Sequence, residues 1–546
     1  MYVRRRGRVE TEQSYNRRVR SRRSAVVLVA LIIAVAMSLG AETAPGTIAG
    51  SGGTLRSAAA VDVDTLDPAL ATSALTWAIE YGTCATLMAF ADAPAPDGYT
   101  VRPEAAASLP EVSRDGRTYL FTVRSGLRFS DGSPLTPANF AHALGRVLSP
   151  AMRSLGASFF SDVSHVSARG HRLRIELSKP SGDLLTRLAL PFACPVPLGF
   201  PIDPAGVPLM VGSGPYYVAR YVRDSLLQVE RNRYYRGARP HRIDHLVMTV
   251  NNDVDSDISA VEQGQADVLG AELPFDYRDS LAQRYGVNKS QLFRIRGTVI
   301  YFLALNTSRP LFRANVALRK AVNLALNRTE IVKTGPGWPL SQTPTDQILP
   351  RSVPGWVDHR LYPLAQPNLK LARSLATGNL RGAKAVLYTS QIPFLVDEAN
   401  VIARNLSQIG LQVTIAPLAP AVIDARAGTP GAPYDMVLTR YMVQYPDPAE
   451  VIIRLLAGEN ARRPAANTNF AYFDSPTYNR QMAAADRLAG PGRLRAFAAL
   501  DANIMRNAAP WAPLYEGSSW LFVSKRVGCL QLHPVFRLDY AAVCLR

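Results

Sequence analysis

The stretch that most constrains this chain runs from Val211 to Asn252, VGSGPYYVARYVRDSLLQVERNRYYRGARPHRIDHLVMTVNN. Gly212-Ser213-Gly214-Pro215 is a turn, built from residues that tolerate φ > 0 and from one with a fixed φ. Tyr216 to Tyr221 and Ser225 to Glu230 are short runs of aromatic, β-branched and aliphatic residues around a turn at Arg223-Asp224, the pattern of a hairpin. A polar connection, Arg231 to Gly237, closes at Pro240, and Ile243 to Val250 is a further strand. The glycine-rich opening is no nucleotide cradle. It lacks the third glycine of a dinucleotide fingerprint and the Gly-Lys-Ser/Thr of a P-loop, and it leads into a strand.

At 546 residues the chain exceeds what one core supports, which predicts at least two domains. With 47% hydrophobic and 19% charged residues it is neither disordered nor polytopic. Nine Arg and three Glu fall in residues 1–44, so 52 basic against 40 acidic residues remain beyond them. Those basic residues are scattered rather than interleaved with aromatics in a patch, so no nucleic acid is expected as a partner. Residues 1–24 are an Arg-rich n-region. Residues 25–41 (AVVLVALIIAVAMSLGA) are an apolar run, a signal peptide or signal-anchor with its arginines inside. The run is near the lower limit for spanning a bilayer, so cleavage and membrane retention both stay open. Residues 42–53 are a small, Gly-containing linker.

Further along, Ser73 to Met88 has helical spacing, and Asp115 to Ser130 alternates with Tyr119, Phe121 and Val123 on one face. Thr136 reads as the N-cap of a helix from Pro137 to Leu148. A helix is expected over Leu318 to Arg328. Lys384 to Tyr388 and Leu411 to Ile415 frame a helix from Val396 to Ile409, a strand-helix-strand unit of α/β type.

Several of these stretches resemble, in order and spacing, the extracytoplasmic solute-binding proteins of family 5, the peptide/dipeptide/nickel-binding receptors of ATP-driven importers. The resemblance is carried by Gly212 to Tyr216 with Glu230-Arg231-Asn232, Tyr235 and Gly237, and by LRFSDGSPLTP over 127–137. It continues through Ala260, Val261, Gly264, Asp267 and Val268, then Asn315, Leu318, Arg319, Ala321, Ala325, Asn327 and Arg328. It goes on through Tyr434 to Leu438 with Tyr445-Pro446-Asp447-Pro448, then Asn467 to Tyr478 and Ala509 to Tyr515, and covers residue 53 to about 520. It implies an α/β, two-lobed fold of the periplasmic-binding-protein type (type II, large peptide-binding class), with a hinge crossed twice and a central ligand cleft. Lobe I is expected over 54–252 with 496–546, and lobe II over 253–495.

The function implied is an extracytoplasmic receptor of an ABC importer, exported by its N-terminal segment or anchored by it. It would be a monomer without cofactor that takes an oligopeptide or dipeptide by hinge closure and hands it to permease and ATPase subunits. A sensor or scaffold of the same fold without transport is the alternative, and a secreted hydrolase lies further off. The resemblance places ligand contacts at Asp447, Tyr445, Tyr441 and Gln444, with Asp447 holding a peptide α-ammonium. Read from its own position, Asp447 equally caps the helix Pro448 to Leu456. Tyr441 stands where the family has Trp and Gln444 where it has Asp, so the local pocket is altered. Cys529 and Cys544 are placed to clip a terminal loop and Cys84 and Cys194 to pair across the first lobe, though three connectivities are open. Catalysis is not indicated. No G-x-S-x-G elbow occurs, and His241 and His245 at strand spacing are too far apart for one metal ion.

Overall fold

The structure, a computed structural model, describes residues 52–93, 96–462, 467–533 and 535–546. The expected n-region, the apolar signal or anchor segment and nearly all of the linker lie outside the described residues. Among the described residues no helix is long and apolar enough to cross a membrane.

Strand β1 (Thr54–Ala59) and helix α1 (Ala74–Thr83) come first. The constraining stretch follows as β2 (Tyr216–Val222), β3 (Leu226–Arg231) and β4 (His245–Val250). Helix α2 (Val254–Glu262) then leads to β5 (Val268–Leu269). They form a sheet ordered β5-β1-β4-β3-β2, in which β1 runs parallel to β4 and β5 while β2, β3 and β4 form an antiparallel meander. The hairpin turns at Asp224, which takes the left-handed φ of 56°.

The glycines that open the stretch serve a purpose the sequence did not disclose. Neither has positive φ. A Cβ on Gly214 would lie 2.7 Å from the Cys84 backbone nitrogen, and one on Gly212 would lie 2.8 Å from the Tyr217 Cβ. The turn is pressed against the C-terminal end of α1, where Gly214 N–H donates to Thr83 O at 2.8 Å and Ala85 N–H donates to Ser213 Oγ at 2.9 Å.

Helix α3 (Phe275–Tyr285) precedes the long strand β6 (Leu292–Leu305) and the short β7 (Gln342–Pro344). Next come β8 (Lys384–Ser390), α4 (Pro393–Ser407), β9 (Gln412–Leu418), β10 (Met436–Met442) and α5 (Pro448–Leu456). Helix α6 (Gly490–Asn507) and strand β11 (Trp511–Phe522) complete the second sheet, ordered β7-β11-β6-β10-β8-β9. β8, α4 and β9 are the expected parallel strand-helix-strand unit. The single helix expected over 318–328 is two, Val316–Ala325 and Arg328–Thr334. The Asn327 side chain accepts from Glu330 N–H and starts the second.

β6 and β11 run antiparallel through both halves of the molecule. At one end Leu292, Trp520 and Phe522 share a core with Ala58 and Leu269 of the first sheet and Ile258 of α2. At the other, Leu303 and Leu305 pack with Ala512 and Leu514 under helices of the second lobe. The register slips between Arg296 and Val299, at Gly297 with φ 70°. These are the two hinge crossings. The expected lobe limits at 252/253 and 495/496 do not coincide with them. α2 and β5 pack on β1, so the first lobe continues to β6, while α6 buries Phe497, Leu500 and Ile504 in the second lobe's core. The disulfides join Cys84 to Cys194 and Cys529 to Cys544.

Two expectations follow. Gly214→Ala must push a methyl into backbone and is expected to lower unfolding free energy by ~1–3 kcal/mol in a urea titration; an unchanged midpoint would mean the turn relaxes freely. Glu80 on α1 is 3% exposed with neither carboxylate oxygen hydrogen-bonded among the described residues. Burial, with repulsion from Asp64 and Asp67, raises its pKa well above the ordinary value. A raised acid pKa means that the folded state holds a proton the unfolded chain releases, so stability falls as pH rises above the unfolded value. Glu80→Gln is therefore expected to raise the melting temperature by about 2 °C near pH 8, with the gain vanishing towards pH 4. An equal gain at both pH values would refute the ionic explanation.

Candidate ligand cleft

Where β6 and β11 cross between the lobes they floor a cavity of about 380 Å³, within the ordinary range for small-molecule sites. Val299, Tyr301, Gly517 and Ser518 form the floor, and Ala74 and Leu75 at the start of α1 and Phe275 and Arg278 of α3 form the first-lobe wall. Gln342, Arg440 and Met442 face them from the second lobe. Val535 and Arg537, from the tail beyond β11, close one side. A recess of about 140 Å³ shares Tyr301 and Arg440 and is lined by Ser390, Pro420 and Asp424. It lies at the carboxyl ends of parallel β8 and β9, where open α/β sheets bind ligands.

The polar groups here are held from behind. The Tyr301 ring stacks on Tyr515 at 4.4 Å, and Tyr515 donates to Glu398 at 2.7 Å. Burial pushes the Glu398 carboxyl up to about 8, so it stays neutral at neutral pH. Arg440 hydrogen-bonds the Tyr301 hydroxyl. Arg278 lies over the Phe275 ring at 4.0 Å and donates to Leu273 O at 2.7 Å. Burial pulls its pKa down to about 10, which leaves it cationic.

A second meeting of the lobes is built from charge. Tyr445, beyond β10, donates across the gap to Asp183 at 2.6 Å. Asp183 pairs with Arg187 at 2.9 Å, and Arg187 with Asp162 at 2.7 Å. On the other side Arg493 of α6 bridges Asp447 at 2.7 Å and Asp486 at 2.8 Å, and Gly182 N–H reaches Asp486 at 3.3 Å. A Cβ on Gly182 would lie 2.5 Å from Arg493 Nε and 2.6 Å from the Asp486 carbonyl. A cavity of about 130 Å³ lies among Tyr445, Asp183, Glu450 and Arg454.

The four residues expected to contact ligand fall here rather than in the larger cleft. Asp447 caps α5, accepting from Ala449 N–H at 2.8 Å through one oxygen and from Arg493 through the other. An ammonium would have to displace that guanidinium. Burial pushes the Asp447 carboxyl up to about 6 against the pull of Arg493, so it is ionised at neutral pH. Tyr445 reaches Asp183 and is 4% exposed; Tyr441 donates to Glu450, whose carboxyl burial pushes up to about 7. Gln444 donates to Met442 O at 2.9 Å. His241 is hydrogen-bonded to Arg239 O and His245 is exposed, and among the described residues no cluster of His, Cys, Asp or Glu could hold a metal ion.

The cleft residues that sequence reasoning passed over are Tyr301, Arg440, Met442, Phe275, Arg278 and Arg537. Alternation along β10 puts 440 and 442 on one face, a signal that was present. Nothing local marks Arg537.

Two α/β lobes joined by two adjacent strands and closing on a small-molecule cleft define a two-lobed solute-binding protein. The chain belongs to the bacterial extracellular solute-binding proteins, family 5, whose middle-region model matches residues 100–462. Members of that family are extracytoplasmic binding proteins. The chain is similar to the oligopeptide-binding protein OppA of Bacillus subtilis, 24% identical over 302 residues, 51% of this chain and 54% of that protein. It is also similar to the probable di/tripeptide-binding protein 5 of Pseudomonas aeruginosa, 21% identical over 468 residues, 80% of this chain and 85% of that one. The chain spans about half the length of the first curated relatives it matches. Among solved structures, clavulanic acid biosynthesis oligopeptide binding protein 2 superposes with a TM-score of 0.81 at 25% identity, covering 91% of this chain and 96% of that one.

Removing the guanidinium strands Asp447, so Arg493→Met is expected to cost ~3–5 kcal/mol in a urea titration. A loss below ~1 kcal/mol would show Asp447 to be free for another partner.

Proposed function

We propose that this protein is the extracytoplasmic substrate-binding receptor of an ATP-driven importer, and that its solute is a short peptide. The observation that carries the reading is the cavity of about 380 Å³ floored by both hinge strands. A solute there touches both lobes, so binding favours the closed form over the open one, the condition for a ligand to drive closure. The closed pair of lobes is the surface that a membrane permease with its ATPase would recognise. The names of the OppA and di/tripeptide-binding relatives support a peptide, and the Phe275, Met442 and Leu75 side chains offer apolar surface for its body. The role is binding without turnover, outside the cytoplasm, after export by the N-terminal segment.

A panel of defined di- and tripeptides in thermal unfolding tests this. A true ligand at a hundredfold excess over Kd is expected to add ~2.7 kcal/mol of stability. Absence of any shift across the panel would overturn the peptide reading.

A further inference from the structure

The second meeting of the lobes encloses a carboxyl that opening would wet. Glu450 of α5 is 1% exposed and lines the cavity of about 130 Å³. The second lobe supplies one wall of that cavity, and Phe159, Asp162, Lys179, Asp183 and Arg187 of the first lobe supply the other. Glu450 Oε1 accepts from the Tyr441 hydroxyl, and Oε2 has no close hydrogen-bond partner among the described residues.

The charges around Glu450 leave it uncompensated. From the first lobe, Arg187 is matched by Asp162 and Asp183, and Lys179 pairs with Glu459 across the gap. From α6, Arg493 is held between Asp447 and Asp486. Tyr445 spends its hydroxyl on Asp183. Arg454, one turn along α5, lies over the Phe159 ring at 4.6 Å and donates to Ser158 Oγ at 3.1 Å. It is turned towards the first lobe and acts on Glu450 only through space. Burial pushes the Glu450 carboxyl up to about 7; Arg454, the Tyr441 hydroxyl and the Gln444 N–H pull it down, and Asp183 adds to the rise. Separating the lobes removes the first-lobe wall and carries Asp183 away, so the open form returns Glu450 to water.

We propose that closure of the lobes takes up one proton from solvent onto Glu450, which makes the closed form a state favoured by mild acid. The inference rests on the lobes opening and closing around a solute, as read above. The proton turns the carboxylate into a carboxylic acid, and opening returns it to solvent. A group that holds its proton more tightly in the closed form favours closure as pH falls, and the gain builds from about pH 7 down to the ordinary carboxylate range.

All four cysteines are in disulfides, so dyes on Val112→Cys and Leu488→Cys, exposed positions in opposite lobes, report opening in single-molecule energy transfer. The closed-to-open ratio of the solute-free protein is expected to rise about tenfold from pH 8 to pH 6, and the affinity for trialanine to rise with it. Glu450→Gln carries a neutral amide at every pH and is expected to leave that ratio with at most about a twofold change, the share of Asp447. Tyr441→Phe removes a donor to the ionised carboxylate and is expected to move the profile to higher pH, which a merely structural role for Glu450 would not do. That variant carries the test even if Glu450→Gln fails to fold. A protein that closes more at pH 6 but ignores trialanine would uphold the proton and count against the peptide. A ratio that does not rise towards pH 6 with or without trialanine, or a rise that both substitutions leave unchanged, would overturn the proposal.

Discussion

The pairing of β6 with β11 is the constraint on which the rest depends. Two strands that lie side by side and hydrogen-bond from Leu292 and Phe522 to Ala304 and Trp511 give the lobes a common backbone ribbon. Such a ribbon resists stretching and shear but bends where its ladder is broken, and the ladder is broken opposite Gly517, between Arg296 and Val299. One face of the ribbon floors the cleft. The element that lets the lobes move is therefore also one that touches the solute, and coupling between occupancy and closure needs no relay.

Most of the architecture was legible wherever a local pattern had one physical solution. The hairpin from Tyr216 to Arg231, the helix opening at Pro137 and the strand-helix-strand unit around α4 are set by alternation, caps and turns within reach of one another. Positions that depend on distant partners were not legible. Asp447 reads alike as a cap or a ligand anchor until Arg493, 46 residues on, is seen taking its second oxygen. Arg537 enters the cleft because the chain folds back past β11, and no pattern around it foretells that. Gly212 and Gly214 were rightly marked as special but for a different reason, since the demand is for space and not for φ.

The charge of the chain takes on another meaning in three dimensions. A formal excess of +18 suggests a basic surface, yet many arginines are internal fasteners. Arg146 pairs with Asp67 at 2.6 Å and Arg239 with Glu104 at 2.6 Å, both deeply buried, and Arg328 is spent on backbone carbonyls and Asn323. A planar five-donor group can tie several loop carbonyls at once, which lysine cannot. Such buried pairs add little net stability but penalise every arrangement that breaks them. In a protein with long connections between strands, that penalty favours one packing of the loops over its rivals.

At the Gly182 contact, the lobes meet with no room for a single methyl group, against Arg493 on one side and the Asp486 carbonyl on the other. The spacer that sets how far the jaws can shut is thus a hydrogen atom. Any other residue there would act as a doorstop, holding the two halves ajar by the width of its side chain and weakening the Tyr445–Asp183 bond beside it. Depth of closure, and with it the dryness of the cleft, is in that sense written at one position outside the binding site.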